Sequence, residues 1–203
     1  MQFDPQEMSV REIYTWMVGL ITPRPIAWVS TISKSGVANL APFSFFNGVG
    51  ANPPTIMFCP ANDRDGADKH TLANIRETRE FVVNVVTEQH AEKMNLTAAN
   101  LDADEDEFQF VQLAKAECQK VSCPRVAEAV AAFECTLHSV LELGEGPGGA
   151  NLVIGQIVLM HVSDLLITPS GSLKAEDLDT IGRMGSVGYV RTTDRFDLPR
   201  PRR

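Results

Sequence analysis

Two adjacent hydroxyls, Ser30-Thr31, close an apolar and aromatic run, Ile26-Ala27-Trp28-Val29, that follows the proline-rich stop Thr22-Pro23-Arg24-Pro25. About eight residues later, Asn39-Leu40-Ala41-Pro42-Phe43-Ser44-Phe45-Phe46-Asn47 sets an asparagine, a hydroxyl and three phenylalanines around a proline, and Asn52-Pro53-Pro54 bends the chain again. A bent backbone exposes N–H and C=O groups to the edge of a flat heterocycle, while aromatic and apolar side chains cover its faces. The same residue types also fit a hairpin with its serine and threonine on a wet face. Lys69 and Thr71 precede an expected short helix, where free N–H groups and the helix dipole favour an anion; a plain surface lysine is the alternative.

Other motifs fail on context. Gly144, Gly146 and Gly149 match the glycine-rich dinucleotide fingerprint by letter, but Pro147 lies inside the loop and strand-like sequence follows, so no helix begins there to meet a pyrophosphate. Asp102, Asp104 and Asp106 open like a calcium loop, yet Glu107 and Leu113 occupy the glycine and glutamate positions. His70, His90, His138 and His161 show no paired metal-ligand spacing, and Cys59, Cys118, Cys123 and Cys135 form no C-x-x-C pair. The expectation is no metal site and four unpaired thiols, with Cys59 and Cys135 in strands. His138 reads as facing water or a partner. His161 is either a satisfied core histidine or a pocket-lining one.

These residues must be positioned by short elements. Ser9-Val10-Arg11-Glu12 reads as a capping box opening a helix with Val10, Ile13, Tyr14, Met17 and Leu20 on one face. Strands are expected at residues 26–32, 37–41, 55–59 and 81–86, and helices at 71–78, with Leu72 and Ile75 inward, and at 88–99. Residues 101–107 read as an acidic loop. Residues 133–143 alternate, with Phe133, Cys135, Leu137, Ser139, Leu141 and Leu143 on one face and Glu134, Thr136, His138 and Glu142 on the other, as in a half-buried antiparallel strand. The partner strand, 152–162, is apolar on both faces, which requires cover on both: a barrel core and a second subunit would supply it. Many short strands separated by turns indicate a mainly β fold, an antiparallel barrel rather than a doubly wound sheet.

The chain has 203 residues, 44% hydrophobic and 22% charged, enough for one domain with its own core. A net charge of -8 argues against nucleic acid, whose phosphates need a basic surface. No apolar run is long enough for a membrane span, and the first residues lack a signal core; the expectation is a cytoplasmic protein that binds neither nucleic acid nor membrane. The layout reads as a single domain over residues 1–190 and a flexible tail over 191–203.

The order of these blocks resembles the flavin reductase-like family, the FMN-binding split barrels that include flavoredoxin. Its R-P-I-A-W-V-S-T, N-L-A-P-F-S-F-F-N and N-P-P blocks stand at 24–31, 39–47 and 52–54; Lys69-His70-Thr71-Leu72-Ala73-Asn74-Ile75 is similar to its K-D-T-x-x-N-I element; residues 80–84 match E-F-V-V-N; and Ile181-Gly182-Arg183-Met184-Gly185 with Tyr189 is similar to its closing motif. His70 departs from the usual aspartate. The resemblance implies a six-stranded antiparallel Greek-key split barrel with added helices, forming a homodimer with FMN near the subunit interface. It implies FMN contacts from Trp28, Ser30, Thr31, Asn39, Ala41, Pro42, Phe43, Ser44, Lys69, Thr71 and Arg183. Ser30 and Thr31 would be the hydroxyl pair near the flavin and its ribityl phosphate, the backbone of residues 41–44 would border the ring, and Lys69 and Thr71 would hold phosphate. Arg183 and Tyr189 would either close the pocket or anchor the C-terminal segment. The implied activity is reduction of FMN by NADH or NADPH with no catalytic side chain, the electrons passing to a partner oxygenase or a small acceptor. A flavoredoxin-like electron carrier without nicotinamide activity is the alternative.

Overall fold

The computed structural model describes residues 1–201; Arg202 and Arg203, at the end of the expected tail, lie outside the described residues. Eleven strands and four α-helices follow in chain order: α1 (Val10–Leu20), β1 (Ala27–Ile32), β2 (Ala38–Phe43), β3 (Phe46–Ala51), β4 (Pro54–Phe58), α2 (His70–Thr78), β5 (Glu80–Val85), α3 (Ala91–Leu96), α4 (Glu107–Phe110), β6 (Lys115–Ala116), β7 (Arg125–Val126), β8 (Ala131–Glu142), β9 (Asn151–Val162), β10 (Ile181–Met184) and β11 (Gly188–Arg191). Seven strands form one antiparallel sheet in the order β2-β1-β5-β8-β9-β4-β3. The resemblance implied six; the added strand is β3, whose two glycines and lack of alternation hide it from a pattern search, and which pairs with β4. The two edges of the sheet, β2 and β3, are joined by Ser44 and Phe45 alone. Two residues reach only a few ångströms, so the sheet must curl until its edges meet at that corner.

β1 lies between the edge strand β2 and β5 and is covered on both sides. Ala27 and Val29 enter the core inside the curled sheet with Phe58, Phe81, Leu72 and Ile75. Ile26 and Trp28 enter a second core outside it, with Leu40, Met94 and Phe108. Leu72 and Ile75 of α2 face inward, as the sequence suggests. Gly155 of β9 sits where a Cβ would fall 2.3 Å from the Phe81 ring, so the ring takes the space a side chain would need.

The capping box of α1 forms, with the Ser9 hydroxyl accepting from the Glu12 backbone and the Glu12 carboxylate accepting from the Ser9 backbone. The helix expected over 88–99 is shorter: a single 3-10 turn, then α3 from Ala91 to Leu96. It ends where the Thr97 hydroxyl turns back to the Met94 carbonyl and accepts the Trp28 indole N–H. The expected acidic loop ends in α4, whose first turn is capped by Asp106. Glu107 then folds inward and accepts the free N–H of Leu40 on the edge strand β2.

Two expectations for β8 are corrected. A bulge between Leu137 and Ser139 inserts His138 and exchanges the faces beyond it, so Val140 packs on the core while Leu141 and Leu143 are exposed. Glu134, expected on the wet face, is fully buried beneath residues 119–121, whose N–H groups it accepts; alternation assigns a face but not what covers it. All four cysteines are free, with Cys135 in β8 and Cys59 one residue beyond β4. β11 ends at Arg191, and Arg195 donates to the Ala175 and Leu178 carbonyls. Among the described residues no helix is long and apolar enough to cross a membrane.

Candidate functional site

The corner where the sheet edges meet opens into a cleft of about 260 Å³. Pro42, Phe43, Ser44 and Phe45 form one wall, Lys69 stands at the start of α2, Met94 and Asn95 come from α3, and Arg183 and Tyr189 come from the β10–β11 hairpin. Tyr14 of α1 also reaches the cleft, edge-on to Phe45 with ring centroids 6.4 Å apart. Pro42 stays within β2, opposite Trp28 of β1; β2 is an edge strand, where a residue without an N–H is tolerated.

The electrostatics are one-sided. The lining contains Lys69 and Arg183 and no aspartate or glutamate, in a chain of net charge -8. Lys69 is the N-cap residue of α2, and no side chain caps that end of the helix, so unpaired N–H groups and the positive end of the dipole lie next to Lys69. Lys69 is exposed and joins no ion pair among the described residues.

Arg24 supports the cleft from behind. It is 3% exposed and pairs with no carboxylate among the described residues. Its Nη1 donates to the carbonyls of Val18 (2.6 Å) and Ile21 (2.9 Å), its Nη2 to that of Gly185 (3.1 Å), and its Nε to the Ser44 hydroxyl (3.3 Å). One guanidinium thus ties the end of α1, the β2–β3 corner and the β10–β11 turn. The backbones of Arg24 and Arg183 pair as well. Arg183 lies over the Tyr189 ring at 4.7 Å, and the Tyr189 hydroxyl donates to Asn95 at 3.1 Å. The hairpin therefore both lines the cleft and is anchored to the body of the fold.

Of the residues nominated from sequence, Pro42, Phe43, Ser44, Lys69 and Arg183 come together around the cleft. Trp28, Ser30, Thr31, Asn39 and Thr71 are not in its lining; they are buried, with partners of their own. The Trp28 indole donates to Thr97, Ser30 donates to the Pro124 carbonyl, and Asn39 donates to both Thr31 and Thr71. Ala41 packs on the main core. Tyr14, Phe45, Cys59 and Asn95 also line the cleft and were not nominated. Phe45 lies within residues 39–47, whereas the others come from segments whose approach only the fold reveals. Burial pushes the Cys59 thiol up, so it meets the cleft as a neutral group.

The sequence profile of the flavin reductase like domain matches residues 19–169. The chain belongs to that family. An uncharacterized protein of Aquifex aeolicus is 37% identical over 94% of this chain and 95% of its own. Nitrilotriacetate monooxygenase component B from Bacillus cereus superposes with a TM-score of 0.92 at 36% identity, covering 98% of each chain. The 2-nitrobenzoate 2-nitroreductase NbaA of Pseudomonas fluorescens gives 0.89 at 31% identity, covering 99% of this chain and 96% of that one. Family membership supports flavin binding, and the cleft fits it: cationic groups and an uncapped helix start for a phosphate, apolar and aromatic walls for a ring system, and no carboxylate to repel the anion.

Proposed function

We propose that this protein is an FMN-binding oxidoreductase that draws reducing equivalents from NADH or NADPH. The observation that carries the reading is the cationic, carboxylate-free cleft at the meeting of the sheet edges, in a chain of the flavin reductase-like family. Lys69 and the start of α2 hold the phosphate, the 42–45 corner borders the ring, and Arg183 with Tyr189 closes one side. The chemistry FMN supplies when bound is acceptance of a hydride from nicotinamide. The chain's part is to orient the two rings and to exclude water. No side chain needs to move a proton in that step, in keeping with a lining whose thiol is held neutral.

Two structural relatives bear on the electron acceptor. One is named as a component of a monooxygenase and the other as a nitroreductase, so a partner oxygenase or a small nitro compound is the expected sink. The functional unit is proposed to be a homodimer.

The test is a visible spectrum of the purified protein with added FMN, followed by anaerobic titration with NADH and NADPH. Bleaching of the bound flavin by either nucleotide is the expected result. A flavin-coloured protein that neither nucleotide bleaches would instead be a flavoredoxin-like carrier, and failure to bind FMN at all would remove both readings.

A further inference from the structure

Away from the cleft, three ligand-type side chains from well-separated parts of the sequence converge. Cys118 Sγ, a Glu134 carboxylate oxygen and a His161 ring nitrogen lie within 4.8 Å of one another. The β8–β9 register explains two of them: Ala132 pairs with His161 and Glu134 with Leu159, so His161 and Glu134 are diagonal neighbours on one face. The third arrives because the segment between β6 and β7 crosses over that face and is held there by Glu134 itself. Its carboxylate accepts the N–H groups of Gln119 (2.9 Å), Lys120 (2.6 Å) and Val121 (3.1 Å). His161 Nε2 is 2.5 Å from the same carboxylate. No residue of this cluster lines the flavin cleft.

We propose that Cys118, Glu134 and His161 form a binding site for a divalent first-row transition ion, zinc foremost. One sulfur, one nitrogen and one oxygen donor make a borderline-soft set, which suits zinc and its neighbours and disfavours calcium or magnesium. The charge balances: a dication with one thiolate, one carboxylate and one neutral imidazole is neutral, so the ion can enter a partly buried place without leaving a net charge there. Binding exchanges the thiol proton of Cys118 for a metal–sulfur bond, and the proton goes to solvent. The backbone donors that fix Glu134 are the outer support such a ligand needs, and they remain available while the ion takes the place of the His161 contact. His161 and Cys118 are each partly exposed, so an ion has a path in and water can fill a fourth position. The bound ion would clip the Glu117–Pro124 segment to the β8–β9 pair.

The discriminating member is Cys118, since a purely structural Glu134–His161 pair needs no thiol. The full-length, reduced, chelator-treated protein is titrated with Co2+ alone and followed by absorbance, and Zn2+ binding is measured by calorimetry. The expected result is one ion per chain, a thiolate-to-cobalt charge-transfer band, about one proton released near neutral pH, and a raised melting temperature with Zn2+. Cys118→Ser should abolish the band, and both it and His161→Gln should weaken binding about tenfold or more while keeping wild-type circular dichroism and FMN affinity. Cys59→Ser should leave the band intact. Absence of stoichiometric binding, a cobalt complex without the charge-transfer band in the wild-type protein, or affinity unchanged in both variants would overturn the site and leave a structural ion pair. The wild-type band alone decides the matter if either variant fails to fold.

Discussion

At the scale of single residues, the cleft divides its positive charge between two kinds of work. Lys69 is exposed, free of ion pairs among the described residues and set at a helix start, which is the position of a group that meets a ligand directly. A charge-assisted hydrogen bond contributes about 1.5–3 kcal/mol, so Lys69→Ala is expected to raise the FMN dissociation constant about 10- to 100-fold with little change in melting temperature. Fluorescence titration of FMN measures this, and an unchanged affinity would remove Lys69 from the phosphate site. Arg24 is the opposite case, buried and fully engaged with four acceptors. Lysine keeps the charge there but cannot reach a carbonyl on α1, another on the β10–β11 turn and the Ser44 hydroxyl from one nitrogen. An orphaned buried carbonyl costs about 1–3 kcal/mol, so Arg24→Lys is expected to lower both melting temperature and FMN affinity. Loss of neither in thermal melts and FMN titrations would show that the clamp does not shape the cleft.

At the scale of elements, the cleft depends on junctions as much as on strands. The β5–α3 junction is held by His90, which is buried, shares a 3.1 Å contact with the Thr87 hydroxyl and lies against the Trp28 ring. Burial pulls its imidazole below the usual histidine value, with Glu128 opposing and Lys93 reinforcing. A depressed folded value means the unfolded chain binds this proton first. The contribution of His90 is therefore present above the unfolded value of 6.5 and lost as pH falls through that value toward the folded one. Stability should fall as pH drops below 6.5, and His90→Gln should flatten that slope; urea midpoints across the interval check both. Such junctions are also where the sequence was hardest to read. The alternating strands, the capping box and the inward face of α2 are local patterns, and they were legible. β3 is glycine-rich and takes its strand form from pairing with β4, and the His138 bulge turns the far half of β8 over, so neither leaves a periodic trace. The site followed the same division. The 42–45 corner and Lys69 carry local signals of proline, aromatic and helix start. The burial of Thr31 and Asn39 depends on α2 lying over β1 and β2, that of Ser30 on Pro124 and Asn84 meeting it on the other face, and the entry of Tyr14 and Asn95 depends on how α1 and α3 close around the corner.

At the scale of the whole molecule, α1 has its sequence pattern turned the wrong way for a lone chain. Val10, Tyr14, Met17 and Leu20 recur at helical spacing, as a buried face would, yet Val10 is 71% and Leu20 75% exposed, and Val18 is the helix's one buried residue. A stripe of this kind requires a second surface to cover it, and Phe3, Trp16 and Ile21 extend the exposed apolar area beside it. The same helix sends Tyr14 into the cleft against Phe45, so whatever covers the stripe also steadies a cleft wall. In the proposed homodimer, the second copy does both, and dimerisation and FMN binding become linked equilibria, each strengthening the other. The wild-type protein is expected to sediment as a dimer, with FMN affinity that declines as the protein is diluted through its dissociation range. Leu20→Glu, which places a charge on the stripe without touching the cleft, should shift the protein to a monomer and weaken FMN binding together. A Leu20→Glu monomer that binds FMN as tightly as the wild-type dimer would mean that one chain completes the cleft, and a wild-type monomer would leave the exposed face of α1 to a different partner.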